Sequence, residues 1–157
     1  MRFWKPRFNS DQSMKLKLNI EELASDFFED AHMLGIVAPV KDYQLCWQLN
    51  QRLRFNFRVN NEIEIQLSKK GRQYFFAVFE YKEPNGTFTH YLYNNQFEGE
   101  YLLPEFKHLD FLWMLKGDMK NTEPIREFSG LLRSINEVQL VTEVSIDKIR
   151  NKAHLIF

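Results

Sequence analysis

The chain has 157 residues, and its 21 Lys plus Arg balance 21 Asp plus Glu to a formal net charge of zero. This argues against a nucleic-acid binder, which carries a basic excess or a basic stripe. The single cysteine, Cys46, excludes an internal disulfide and fits a reducing compartment. No apolar run approaches the roughly 18–20 residues that span a bilayer, and no apolar stretch of a signal peptide follows Arg2, Lys5 and Arg7. The expectation is a cytoplasmic protein with no membrane partner.

Residues 1–13 show no periodicity and are expected to form a flexible arm, or to precede a true start at Met14. Lys15-Leu16-Lys17-Leu18-Asn19-Ile20 alternates and predicts a strand with Leu16, Leu18 and Ile20 on one side. Leu23, Phe27 and Phe28 then fall at near-helical spacing in an acidic stretch, Glu21 to Asp30. Met33 to Ala38 reads as a short buried strand stopped by Pro39. Residues 42–54 predict an amphipathic helix, with Asp42 as cap or first-turn acid. Leu45, Cys46, Leu49 and Leu53 form its apolar face and Trp47 lies at the margin.

Aromatics make up 15% of the chain, 15 of them Phe, and such residues favour strands. The middle of the sequence fits this. Glu62 to Leu67 alternates strictly, Ser68 to Gly71 is a turn, and Tyr74 to Tyr81 suits one central strand. Glu83-Pro84-Asn85-Gly86 is a strong turn, because Pro84 presets φ and Gly86 takes φ > 0. Thr87 to Tyr93 returns as the partner strand, and a third crossing is expected near Gly99 to Leu103. Asp110 to Leu115 reads as a strand buried on both faces. Thr122 is placed to cap a helix lined by Ile125, Phe128, Leu131, Leu132 and Ile135. Val138, Leu140, Thr142 and Val144 alternate as a last strand, and the spacing permits a parallel crossover. The apolar end, Leu155-Ile156-Phe157, is expected to dock.

The expected architecture is one α+β domain over residues 14–157. Its mainly antiparallel sheet has five to seven strands, with two principal helices packed on one face.

Glu105, His108 and Asp110 are the one cluster suited to acid–base chemistry, since paired carboxylates can be driven to different pKa values. The competing reading is a junction. There Pro104 sets the chain direction, Glu105 accepts from N–H groups at a short helix start, and Asp110 caps or pairs with Lys107 or Lys116. His32, His90, His108, His154 and Cys46 show no metal-ligand spacing, so no metal is expected. Cys46 sits mid-helix between Leu45 and Trp47, where a thiol behaves as a small hydrophobe. Lys70-Gly71 ahead of Tyr74-Phe75-Phe76-Ala77-Val78-Phe79 is near an RNA-recognition strand signature. It fails in register at Arg72 and Gln73. No phosphate- or dinucleotide-binding glycine motif is present, and no cofactor is expected.

Leu103-Pro104-Glu105, three residues, then Leu109-Asp110-Phe111 resembles the signature of the IPExxxVDY family, bacterial proteins named for that string. Leu replaces Ile and Val, and Phe111 replaces a tyrosine, so no phenol role carries over. Lys41 to Asn50, Asp110 to Gly117 and Leu155 to Phe157 are similar to segments of the same family. The resemblance spans roughly residues 14–157 and implies no activity, cofactor or ligand. The leading functional expectation is a non-enzymatic domain that binds a protein partner. Behind it stand a small enzyme using Glu105, His108 and Asp110, and an RNA binder using the aromatics of the meander.

Overall fold

The computed structural model describes residues 10–157, with side chains from Asn19 onward. In chain order its elements are α1 (Ser10–Phe28), β1 (Ala31–Val37), α2 (Asp42–Leu53), β2 (Arg58–Val59), β3 (Ile65–Lys69) and β4 (Arg72–Phe76). They continue with β5 (Val78–Lys82), β6 (Thr89–Asn94), β7 (Gln96–Phe97), β8 (Glu100–Tyr101), β9 (Phe111–Lys116), α3 (Glu123–Arg133) and β10 (Leu140–Val144). A single 3₁₀ turn covers Pro104–Phe106, and two more follow β10 at Ile146–Lys148 and Lys152–Leu155.

The fold is α+β. Six strands form one sheet in the order β10-β1-β9-β6-β5-β2, and every neighbouring pair is antiparallel. The most apolar strands lie inside it. Phe111 to Leu115 of β9 are all buried, as a strand covered on both faces requires. Alternate residues feed two cores. Leu34, Ile36, Leu92, Phe111, Trp113 and Leu115 face α2 and α3, which bring Leu45, Cys46, Leu49, Ile125 and Leu132. Met33, Tyr93, Leu112 and Met114 face the other way. They meet Ala24 and Phe28 of α1, Ile65, Tyr74 and Phe76 of the β3–β4 hairpin, and Leu155. The two expected helices therefore share one face of the sheet, and α1 with the small hairpin covers the other.

Several expectations change. The strand predicted from Lys15 to Ile20 is part of α1, as are residues 10–13 of the predicted arm, while residues 1–9 lie outside the described residues. No Gly or Pro interrupts residues 10–28, and Lys, Leu and Glu are good helix formers. The burial period is helical, with Ala24 and Phe28 inside, whereas Ile20 is exposed.

The strand expected from Tyr74 to Tyr81 breaks at Ala77. β4 pairs only with β3, while β5 pairs with β2 and β6, so the chain switches sheets there. Burial at Tyr74, Phe76 and Val78 continues through the bend, so alternation carried no sign of it. The third crossing is the short β7–β8 hairpin, after which Leu102 and Leu103 enter the core.

In β10 the buried residues are Val141 and Val144, and Leu140 is exposed. As an edge strand it is covered unevenly. Its antiparallel pairing to β1, itself antiparallel to β9, makes β9 and β10 parallel, so the crossover passes over one intervening strand. The Asn121 side chain, not that of Thr122, accepts the N–H of Glu123 at the start of α3 (3.0 Å). Asp42 sits in the first turn of α2.

Candidate functional site

The motif segment, residues 102–111, turns from the β7–β8 hairpin into β9. A buried asparagine organises it. Asn95 donates through Nδ2 to the carbonyls of Phe106 (2.8 Å) and Leu109 (2.9 Å), and its Oδ1 accepts from the N–H of Leu103 (2.8 Å). Its backbone adds two bonds, N–H to the Asp110 carbonyl and carbonyl to the Leu102 N–H. Leu109 then lies over Gly35 of β1, where an added Cβ would overlap its side chain. Position 109 of the motif is thus a packing position.

The three acid–base candidates diverge from there. Glu105 Oε1 accepts from the N–H groups of Arg150 (2.9 Å) and Asn151 (3.1 Å), and Oε2 from Asn151 Nδ2 (2.8 Å). Its own backbone N–H at the short helix start also contributes, as the sequence pointed to, and the C-terminal segment adds a long-range partner the sequence did not show. Burial acts to raise its pKa, but hydrogen bonds from its own backbone N–H, from Asn151 and from the Arg150 N–H together hold it below the ordinary carboxylate value. Asp110 Oδ2 accepts from the N–H of Ala38 just past β1 (2.8 Å), rather than pairing with Lys107 or Lys116. Lys116 instead donates to the Phe27 carbonyl and lies near Asp30. His108 is exposed and lines an open cleft of about 590 Å³ with His32, Thr142, Glu143 and Lys148, a cleft lined by neither Glu105 nor Asp110.

Glu105→Gln and Asp110→Asn are each expected to lower the unfolding midpoint, by about 1–3 kcal/mol for a charged acceptor removed from its donors. The Glu105 contribution is complete above about pH 4.5, its ordinary value, and fades as pH falls through the lower folded value. Denaturant unfolding of both variants beside the parent checks this. Midpoints at or above the parent's would return the cluster to consideration as a functional site.

A second titratable group lies inside the α2–α3 core. His90 is fully buried, with Phe55, Tyr81, Trp113 and Phe128 packed around its ring. Trp113 Nε1 donates to Nδ1 (3.0 Å), so the proton of the neutral ring is on Nε2, which donates to Glu83 Oε1 (2.9 Å). Burial drives its pKa below the ordinary 6.5, against the opposing pull of Glu83. An unfolded chain takes up this proton near pH 6.5 and the folded chain only lower, so stability should fall as pH drops below that value. His90→Gln should flatten this slope, as read from unfolding midpoints between pH 7.5 and 5.5. The enclosed ring has no opening for substrate. Cys46 is likewise buried, and burial followed by the negative charge of Asp42 pushes its thiol up to about 12. Among the described residues no three of His, Cys, Asp and Glu gather as a metal site.

The aromatics weighed for RNA stacking are largely enclosed: Tyr74 and Phe76 are buried and Phe75 is exposed.

One place where polar groups and exposed aromatics meet is the outer side of α2. Tyr43 and Trp47 stand four residues apart, so both rings rise from one side of the helix. They are 59% and 60% exposed. With Val40, Gln44, Gln48 and Glu137 they line a groove of about 500 Å³. Gln48 Nε2 donates to Glu137 Oε1 (3.1 Å) and ties the helix to the connection between α3 and β10. The other two oxygens, Gln48 Oε1 and Glu137 Oε2, are shielded from solvent and have no hydrogen-bond partner.

Neither Asn95 nor Glu137 stood out in the sequence. Asn95 ends an apolar strand in a polar run, Asn94-Asn95-Gln96, that reads as an ordinary turn. Glu137 follows a helix end at Asn136. Trp47, at the margin of its helix's apolar face, was the visible signal. Compared with known protein families and with curated proteins, the sequence matches none.

Proposed function

We propose that this protein is a non-enzymatic domain that binds a protein partner, with the outer side of α2 as its docking surface. The observation that carries this reading is the pair Tyr43 and Trp47, exposed together on one side of α2 along a groove that Gln48 and Glu137 also line. Trp and Tyr are enriched among residues that dominate binding energy, and burial of a polar group against them gives specificity. The acid–base alternative is weakened because Glu105 and Asp110 hold separate backbone segments. The RNA alternative is weakened by the burial of Tyr74 and Phe76. We place the protein's work in the cytoplasm, on the strength of its one buried cysteine. Membership of the IPExxxVDY family is a proposal of the same standing, resting on Leu103-Pro104-Glu105 and Leu109-Asp110-Phe111.

The test is cross-linking in native lysate with the parent and with a Tyr43→Ala, Trp47→Ala double variant. Both side chains are exposed, so the variant should unfold at the parent's midpoint while losing the parent's specific cross-links. A double variant that keeps every cross-link would remove α2 as the docking surface.

A further inference from the structure

Helix α1 carries two apolar stripes, and the body of the protein covers one of them. Ala24 and Phe28 are buried against the sheet. Ile20, Leu23 and Phe27 form the other: Ile20 is 44% and Leu23 62% exposed, and Phe27 is half-buried. At the end of this stripe the Phe27 ring meets the exposed Phe157, with centroids 5.2 Å apart, so the uncovered surface runs on to the last residue. In sequence it runs back to Leu16. Positions 16, 20, 23 and 27 are separated by four, three and four residues, the spacing with which two helices pack along their length. Burial on the described part of α1 starts only at Ala24, since Asn19 to Leu23 are all exposed. A helical stretch shorter than about 12–15 residues is marginal in water without such packing, so the turns before Ala24 call for a second surface.

We propose that this surface is α1 of a second copy of the chain, lying antiparallel across a two-fold axis. The charges choose the occupant and its direction. Apart from Asp11, α1 is basic first and acidic after: Lys15 and Lys17 precede Glu21, Glu22 and Asp26, and its last turn holds no base. This order opposes the helix's own macrodipole, which favours acids at the N-terminus and bases at the C-terminus. An antiparallel copy sets each basic half beside an acidic half. A parallel copy would set like beside like. Pairing position 16 with 27 and 20 with 23 brings Lys15 of one helix within roughly 3 Å, two residues' rise, of the level of Asp26 of the second copy. Symmetry repeats the pair. Because one patch serves both copies, the assembly closes at two. α1 and α2 lie on opposite faces of the sheet, so the dimer leaves both α2 surfaces open.

Sedimentation velocity of the full chain tests this. A seam this short suits a dissociation constant on the order of micromolar. Through that range the mass should rise with concentration to twice the 19.0 kDa of one chain. Leu23→Glu keeps a good helix former at an exposed position. It should weaken the dimer at least about tenfold, yet unfold at the parent's midpoint at dilutions where both are monomeric. Lys15→Glu and Asp26→Lys should each weaken the dimer, and the two together should restore it, because the reversed pair is again complementary across the axis. The Tyr43→Ala, Trp47→Ala double variant should dimerise as the parent does. A parent that stays monomeric overturns the proposal, whether residues 1–9 or a different protein then cover the stripe. Growth beyond two copies overturns it as well, as does undiminished dimerisation of Leu23→Glu. Charge reversals without effect, or a paired reversal that restores nothing, overturn the antiparallel pairing on which it rests. Loss of the dimer in the Tyr43, Trp47 double variant would place the contact on α2 and overturn the assignment to α1.

Discussion

Asn95→Ala should cost about 2–5 kcal/mol, because one truncation leaves two buried backbone groups without partners at about 1–3 kcal/mol each before relaxation. Those groups are the N–H of Leu103 and the carbonyl of Leu109, whereas the Phe106 carbonyl keeps the N–H of Leu109. The side chain is fully buried, so water does not replace them. Asn95→Asp gives a sharper reading. At neutral pH it turns a carboxylate oxygen toward the carbonyls that the amide nitrogen had served. A protonated carboxyl regains one donor, so this variant should recover stability relative to the parent as pH is lowered. Denaturant midpoints at pH 7 and pH 5 measure both effects. An Asn95→Ala midpoint within the error of the parent would show that the motif segment is held by something else.

Trp113→Ala should be comparably costly, about 3–5 kcal/mol for a buried aromatic. The indole is 1% exposed at the centre of the sheet and packs edge-on against Phe57, with centroids 5.0 Å apart. The truncation also strips His90 Nδ1 of its donor. Trp113→Phe separates the two contributions. It keeps most of the ring and loses the N–H, so about 1–3 kcal/mol is expected from the unpaired imidazole nitrogen. In that variant Nδ1 no longer faces a donor and accepts a proton more readily. The loss of stability below pH 6.5 should therefore be shallower than in the parent. A Trp113→Ala midpoint equal to the parent's would falsify the core assignment of this residue.

What the sequence made legible depended on where each element finds its partners. α2 and α3 carry their apolar residues at helical spacing, and the runs in β1 and β9 are apolar on both faces because both faces are covered. Local turn chemistry at Glu83 to Gly86 was equally plain. The errors arose where tertiary contacts override a short pattern. The six-residue alternation at Lys15 to Ile20 is outvoted by the helical register that buries Ala24 and Phe28. The division of Tyr74 to Tyr81 follows from pairing with two different sheets, which no local period records. For the motif, the role of Glu105 and Asp110 as hydrogen-bond acceptors was readable from residue type. Their long-range partners were not, because Arg150 and Ala38 lie 45 and 72 positions away. The groove on α2 joins Gln48 to Glu137 across 89 positions and was equally invisible.

The sheet order has a consequence in time. β9 stands between β1 and β6, so the most apolar strand of the N-terminal third lacks one of its two neighbours until Lys116 has been made, and the other until Val144. At roughly 5–20 residues per second, the ribosome takes about 4–16 s to travel from the end of β1 to the end of β9. Throughout that interval Met33, Leu34 and Ile36 have no strand to pair with, and the nascent chain presents an unpaired apolar edge. Holding that edge apart from other chains until β9 arrives is work for a chaperone, and the yield of folded protein should track how quickly the stretch between the two strands is translated.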